Sequence, residues 1–367
     1  MEGDVMDLVP LIDRVGEPGA ALVGGLVLGL VFGIAAQRSA FCTRSAVLSV
    51  LHARDGRSLG TWLVGFAVAV LGVQWLLYSG SLDVAETRFF STAQSLSGAV
   101  IGGLVFGVGM ILARGCVSRL LVLGASGNLR AIFSILIVAL VGFATYAGFL
   151  VPLRDAVGGL LGTDAIGGND LLAQLGLAQS AGLAIGALLA VAALLVALRT
   201  RTPLWSVLGG ALVGATVAGG WWFTWQLSQQ VFEPIQAESL SYIRPLATTT
   251  EIAIGRDAFF GWDQGLLAGT IIGAFVAAIA FRDFRIATFS EPGTPSIWRY
   301  AAGSVLMGFG GILAVGCTIG AGFTGGSVLA VSSLVGLAAM VVSAAIADRV
   351  IDGRLETARK PLPAPAE

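Results

Sequence analysis

Nine stretches of this chain are apolar for long enough to cross a lipid bilayer, and no other feature of the sequence restricts its fold so tightly. A spanning helix needs about 20 mostly apolar residues. Such runs fall at roughly 20–37, 59–78, 96–113, 130–151, 178–198, 204–221, 262–281, 300–314 and 328–348. Inside lipid each main-chain N–H and C=O must be satisfied within its own segment, so each run is predicted to be α-helical. Four shorter apolar pieces, at about 42–51, 116–124, 222–232 and 317–325, cannot cross alone and read as half-helices or re-entrant segments. Composition agrees with a chain immersed in lipid: only 12% of residues are charged, against about a quarter in soluble domains. The 52 glycines lie inside the apolar runs, which excludes collagen and polar disordered repeats. A net charge of −1 offers nucleic acid no basic surface. The predicted fold class is therefore an all-α polytopic membrane protein.

Charge in the connecting segments predicts orientation. Segments 52–58, 126–130, 199–202, 282–299 and 349–367 carry twelve Lys and Arg, whereas 1–19, 79–94, 152–175 and 233–261 carry five over a greater length. By the positive-inside rule the first set is cytoplasmic and the N-terminus lies outside. Nine crossings then leave the C-terminus inside. Residues 1–19 hold five acids and one base, the reverse of a secretory signal. The expected organisation is an extracytoplasmic segment 1–19, one transmembrane domain 20–348 and a cytoplasmic tail 349–367.

The chain repeats itself. Residues 102–126 align without gaps to 303–327 with ten of 25 positions identical, including Gly115/Gly316 and Cys116/Cys317. A third copy begins at Gly29, where GLVFG recurs as at 103–107, and Cys42 stands nine residues after Gly33, as Cys116 does after Gly107 and Cys317 after Gly308. A weaker fourth copy runs from Gly210 and Gly214 to Phe223 and Thr224. Two copies start outside and two inside, so the halves, about 20–175 and 176–348, are expected to be inverted. Inverted repeats with discontinuous helices meeting near the midplane are the architecture of secondary transporters.

Each cysteine closes a span and precedes a short apolar piece. A broken helix there exposes main-chain N–H groups that suit an anion, and a thiol adds a soft, polarizable donor that favours a sulfur-bearing anion over a hard oxyanion. Cys42, Cys116 and Cys317 are thus the leading candidates for substrate contact. Gly115 and Gly316 are expected to keep the backbone open beside them, and Thr43, Arg114, Ser118, Arg119 and Thr318 to contact the anion. Arg38 and Arg44 flank Cys42, and Arg114 and Arg119 flank Cys116, but no base flanks Cys317, so an electropositive path is expected on one side only. None of the 22 acids lies deep in a span, which gives no carboxylate relay for ion coupling. One histidine and three widely separated cysteines, with no CxxC pair, predict neither metal nor cofactor nor disulfide scaffold.

Two other features carry less. The GxGxxG pattern at 320–325 lacks the βαβ setting of a dinucleotide site. The cluster Trp221, Trp222, Phe223, Trp225 reads equally as an interfacial belt or as a pore-side wall.

The segments RSAFCTRSAV at 38–47, ARGCVSRLLVLGASGN at 113–128 and AVGCTIGAGFTGGS at 314–327 resemble those of the YeeE/YedE family of bacterial sulfur-transport membrane proteins. The resemblance implies an hourglass of helices with inverted halves, in which constriction cysteines contact the ion; that role passes to Cys42, Cys116 and Cys317. It implies import of thiosulfate or a related sulfur anion across the inner membrane, and a small cytoplasmic sulfurtransferase as partner. The alternatives are a channel for another sulfur or selenium species and a membrane-embedded sulfurtransfer or redox enzyme. The latter needs a reactive thiolate pair.

Overall fold

A computed structural model of the chain describes residues 6–52, 55–232, 235–256 and 260–353. Residues 1–5 and 354–367 of the expected terminal segments, and Glu233 and Pro234 of the connecting segment 233–261, lie outside the described residues. In chain order the helices are α1 (Val9–Arg38), α2 (Thr43–Leu51), α3 (Arg57–Tyr78), α4 (Leu96–Leu112), α5 (Val117–Ala125), α6 (Leu129–Tyr146), α7 (Val151–Gly158), α8 (Leu171–Gln174), α9 (Gln179–Arg199), α10 (Leu204–Ser228), α11 (Ile243–Ala253), α12 (Trp262–Ala280), α13 (Ile297–Leu313) and α14 (Val331–Ala347). A wide π-helical segment, Thr318–Gly325, follows α13. Among the described residues, nine helical stretches are long and apolar enough to cross a membrane, built on α1, α3, α4, α6, α9, α10, α12, α13 and α14.

Four expectations need correction. The first helix begins at Val9, not near 20: Pro10 opens it, and a kink at Gly16 (φ 74°) lets it pass through its charged stretch. The span expected at 130–151 stops at Tyr146, and a separate short helix starts at Val151, just before Pro152. No half-helix exists at 222–232, because α10 continues unbroken to Ser228. Within 233–261, α11 packs on α6 and α12 with Ile243, Leu246 and Ala247 buried, so this stretch is a structured part of the bundle.

Lipid supplies no hydrophobic drive between helices, so close backbone approach at small residues holds them together. The stripe Gly25, Gly29, Gly33 of α1 faces Gly265, Gly269, Gly273 of α12, and a methyl at any of the six would strike a main-chain carbonyl opposite. Gly210 and Gly214 of α10 meet the backbone of α3 at Thr61 and Gly65 in the same way. At the centre α4 crosses α13: Gly102 rests on Gly310 and Gly109 on Gly303, so each repeat partner contacts the counterpart of its own contact. These pairs frame the three cysteine segments, whose thiols are all buried.

Candidate transport site

The helices before the three cysteines end in the same turn. Ala40, Arg114 and Val315, each two residues before a cysteine, adopt left-handed φ of 50°, 61° and 60°. The N–H of the next residue then reaches back five places: Phe41 to Ala36 O at 3.1 Å, Gly115 to Met110 O at 3.1 Å, Gly316 to Gly311 O at 2.9 Å. This is a Schellman closure, and it is costly for residues that carry a Cβ, most of all for β-branched Val315. Each cysteine follows in extended conformation and begins a new helix: Cys42 before α2, Cys116 before α5, Cys317 before the π segment. No side-chain hydrogen bond caps any of these three starts. First-turn N–H groups are therefore held beside each thiol, with the positive end of a short helix dipole behind them.

The structure brings two of the thiols together. Cys42 and Cys116 face each other, and the N–H groups of Ser45 and Arg119 face their sulfurs. Ser118 Oγ lies 3.5 Å from Cys116 Sγ. Arg119 reaches across to the end of α1, its Nη1 3.5 Å from Ala36 O, and its charge faces both thiols. Thr43 is buried beneath Cys42, where its hydroxyl oxygen accepts the Trp62 indole N–H at 3.0 Å. Gly115 packs on the Leu120 side chain. Arg114, by contrast, is exposed and turns into a 230 Å³ pocket shared with Arg130, Asn128 and Tyr300.

Cys317 has different company. Tyr242 is its polar neighbour, with a phenol 2.9 Å from the Thr270 hydroxyl. Thr318 is fully buried, and its hydroxyl has no hydrogen-bond partner among the described residues. The same holds for the buried hydroxyl of Ser241, which stands over Gly320. Gly316 permits this arrangement, because a Cβ there would come within 2.5 Å of Ala321 N. The π turn fits a simple count. One residue more separates Cys317 from Ala330, which starts α14, than separates Cys116 from Asn128, which starts α6. A π bulge absorbs a single inserted residue. The glycines of the GxGxxG stretch line this turn.

Two connecting segments fold into the bundle above Cys317. Phe89, fully buried, reaches Trp221 at 6.0 Å between ring centroids and lies against Gly325. Leu240 O accepts the Thr324 hydroxyl, Trp221 Nε1 donates to Thr324 O at 3.3 Å, and Ser239 Oγ donates to Val217 O at 2.6 Å. Trp221 is thus an inner wall of the protein, completely buried. Irregular backbone at this depth is tolerable only when enclosed by protein and satisfied in this way.

Basic residues also stand near the start of α12, where acids match them. At the end where α12 starts, Arg244 pairs with Glu238 and with Asp263, the latter also holding Thr248 Oγ1 at 3.2 Å. A cavity of about 750 Å³ opens there, lined by Arg244, Glu238, Asp263, Trp262 and Gln264. Arg88 faces the same cluster; its Nε is buried without a partner among the described residues, and its guanidinium lies over the Phe89 ring. Burial lowers Arg88 from its ordinary value to about 10. Burial likewise raises the Glu238 carboxyl above the usual carboxylate range. Burial pulls Arg244 down, but Asp263 and Glu238 more than offset it and hold the guanidinium above its ordinary value. Sequence reasoning missed Arg88, Ser241, Tyr242 and Arg244. The one available signal was the aromatic pair Phe89-Phe90 beside Arg88, unusual in a loop that stays in water.

Comparison with known proteins bears on what such a site handles. Over 325 residues the chain is 28% identical to the thiosulfate transporter TsuA of Spirochaeta thermophila, covering 84% of this chain and 92% of that protein. Over 338 residues it is 24% identical to the thiosulfate transporter TsuA of Escherichia coli K12, covering 88% and 92%. Residues 38–346, which contain Cys42, Cys116 and Cys317, match the sulphur transport family, and the chain belongs to that family.

Proposed function

We propose that this protein imports thiosulfate, or a closely related sulfur anion, across the bacterial inner membrane through a constriction lined by Cys42, Cys116 and Cys317. The observation that carries this reading is the threefold recurrence of one device. A spanning helix closes on a left-handed residue, and a buried thiol then heads a short helix whose N–H groups are uncapped. Thiosulfate carries oxygens that ask for N–H and O–H donors and one terminal sulfur that a polarizable thiol suits better. In this reading the outer vestibule lies beside Arg88 and Arg244, Cys317 with Thr318 and Ser241 receives the ion next, and Cys116 and Cys42 pass it inward. Ser118, Arg119 and Thr43 furnish secondary contacts, Arg114 acts only at the exit, and Gly115 and Gly316 leave room for the turns. The N-terminus is outside and the C-terminus cytoplasmic.

The exchanged contacts of Gly102 with Gly310 and Gly109 with Gly303 support two inverted halves. A small cytoplasmic sulfurtransferase belongs to the same reading, as the acceptor that keeps the internal concentration low. The direct test is uptake of labelled thiosulfate by liposomes holding the purified chain, with sulfate, sulfite and selenite as competitors. Uptake competed weakly by sulfate supports the reading. Absence of flux, or recovery of the label in a different oxidation state, overturns it.

A further inference from the structure

At the end of the bundle where α1, α4 and α14 finish and α13 starts, one carboxylate is shared by two arginines. Asp352, in the π-helical turn after α14, accepts from Arg299 Nη2 at 2.7 Å and lies 3.8 Å from Arg44 Nη2. Arg44 is two residues beyond Cys42, and its charge faces that thiol, Arg114, Asp348 and Asp352. Arg299 also reaches Ile111 O at 3.5 Å, the carbonyl that accepts the Arg114 N–H in the turn before Cys116. The second carboxylate nearby is already engaged, since Asp348 accepts from or pairs with His52 Nε2 at 2.6 Å. Two guanidiniums, Arg44 and Arg299, thus share one available carboxylate close to Cys42.

The arginines are also underused. Both Arg44 Nε and Arg299 Nε are buried with no hydrogen-bond partner among the described residues, although the two side chains are only 13% exposed. A guanidinium is a fork of donors shaped for oxyanions and carboxylates. Buried donors left unmade are unfavourable and are normally filled. Asp352 accepts from Arg299 and stands 3.8 Å from Arg44, which leaves donors over on both.

We infer that Arg44 and Arg299 form an exit site for the sulfur oxyanion, and that Asp352 is its resident counter-ion, displaced by the substrate as it leaves Cys42. This rests on the transport reading above and adds a site to it. A carboxylate held on the chain competes at a fixed local concentration, as a tethered ligand does. It keeps the exit from retaining the anion, because Asp352 returns as the anion departs.

The test compares right-side-out with inverted membrane vesicles carrying the full chain, and reads half-saturating thiosulfate from each face. In Asp352→Asn the ratio of inner to outer half-saturating concentration should fall by up to about fivefold, the range expected for losing one partly exposed ion pair. In Arg299→Gln the ratio should rise. A ratio unmoved in both, with thermal stability near wild type, overturns the inference while leaving transport intact. If the unaltered protein carries no thiosulfate in either vesicle, the transport reading falls instead. Heat protection of the detergent-solubilised protein by sulfate then decides the site: greater protection of Asp352→Asn supports it, and equal protection overturns it.

Discussion

The thiols of Cys42 and Cys116 face each other although each heads a different short helix at the end of a different spanning helix. Neither Schellman turn alone produces this arrangement; it needs the ends of α1 and α4 to lie together, as the reach of Arg119 to Ala36 O shows. If these thiols and Cys317 hand the anion along, Cys116→Ala and Cys317→Ala should each reduce uptake by more than about tenfold, a loss of about 1.4 kcal/mol or more, with expression and melting temperature close to wild type. Uptake by the double mutant at the wild-type rate would dispose of the relay.

Serine in the same places tests what the sulfur does. A hydroxyl keeps the hydrogen bond but is hard and strongly hydrated, so it senses thiosulfate no better than sulfate. Cys→Ser at 42, 116 and 317 should lower thiosulfate flux and narrow the preference over sulfate, measured as inhibition of uptake by added sulfate. Unchanged selectivity in all three variants means that the cysteines do not read the substrate.

The two glycines beside the thiols should differ sharply. At Gly316 a methyl would meet the main chain of Ala321 at 2.5 Å and of Gly320 at 2.8 Å. At Gly115 it would meet only the Leu120 side chain, at 3.1 Å. Gly316→Ala should therefore cost about 1–3 kcal/mol, as overpacking does, or fail to fold, whereas Gly115→Ala should cost less than about 1 kcal/mol. Thermal unfolding in detergent distinguishes them.

The Arg244 cluster predicts an unequal response to neutralising its acids. Asp263 accepts two hydrogen bonds from Arg244, at 2.7 and 3.1 Å, and one from the Thr248 hydroxyl. Asp263→Asn should destabilise by about 3 kcal/mol, the low end for breaking a buried pair. Glu238 is held above its ordinary pKa by burial, so its neutral form suits the site and Glu238→Gln should cost less. The sign for pH follows. A carboxyl with a raised folded pKa adds stability that is complete below its unfolded pKa of about 4.3 and is lost as pH rises through the folded value. The wild-type melting temperature should carry an upward component on acidification from neutral pH that Glu238→Gln removes. An unchanged pH profile in that variant would contradict the assignment.

Much of the bundle is legible in the sequence because hydropathy reports lipid contact directly. The runs at 59–78 and 178–198 became α3 at Arg57–Tyr78 and α9 at Gln179–Arg199. The cysteine turns were legible from constant spacing, since a recurring Gly-to-Cys interval reflects a recurring backbone path. What escaped has physical causes. Asp13, Arg14 and Glu17 hid the start of α1 from any hydropathy window, although helix propensity does not stop at charge. The fourth copy looked broken at Phe223, yet α10 has no left-handed residue there to end it, and its apolar outer turns simply continue. Arg88 and Arg244 were counted as loop charges, because the inward fold of a connecting segment depends on partners distant in sequence.

The facing glycine stripes of α1 and α12 limit how this protein can move. Six close backbone contacts spread along two helices leave no slack for sliding; a shift of one residue would drive Cα–H groups into carbonyls. The pair behaves as a single stiff plank, and the crossing of α4 on α13 through Gly102, Gly109, Gly303 and Gly310 is a second brace. Any opening must then happen in the pieces hung from these frames: α2, α5, the π segment and the inward-folded connections. In the transport reading proposed above, the anion passes a fixed scaffold whose short helices yield by small amounts, a narrow hopping path and not a rocking of whole halves.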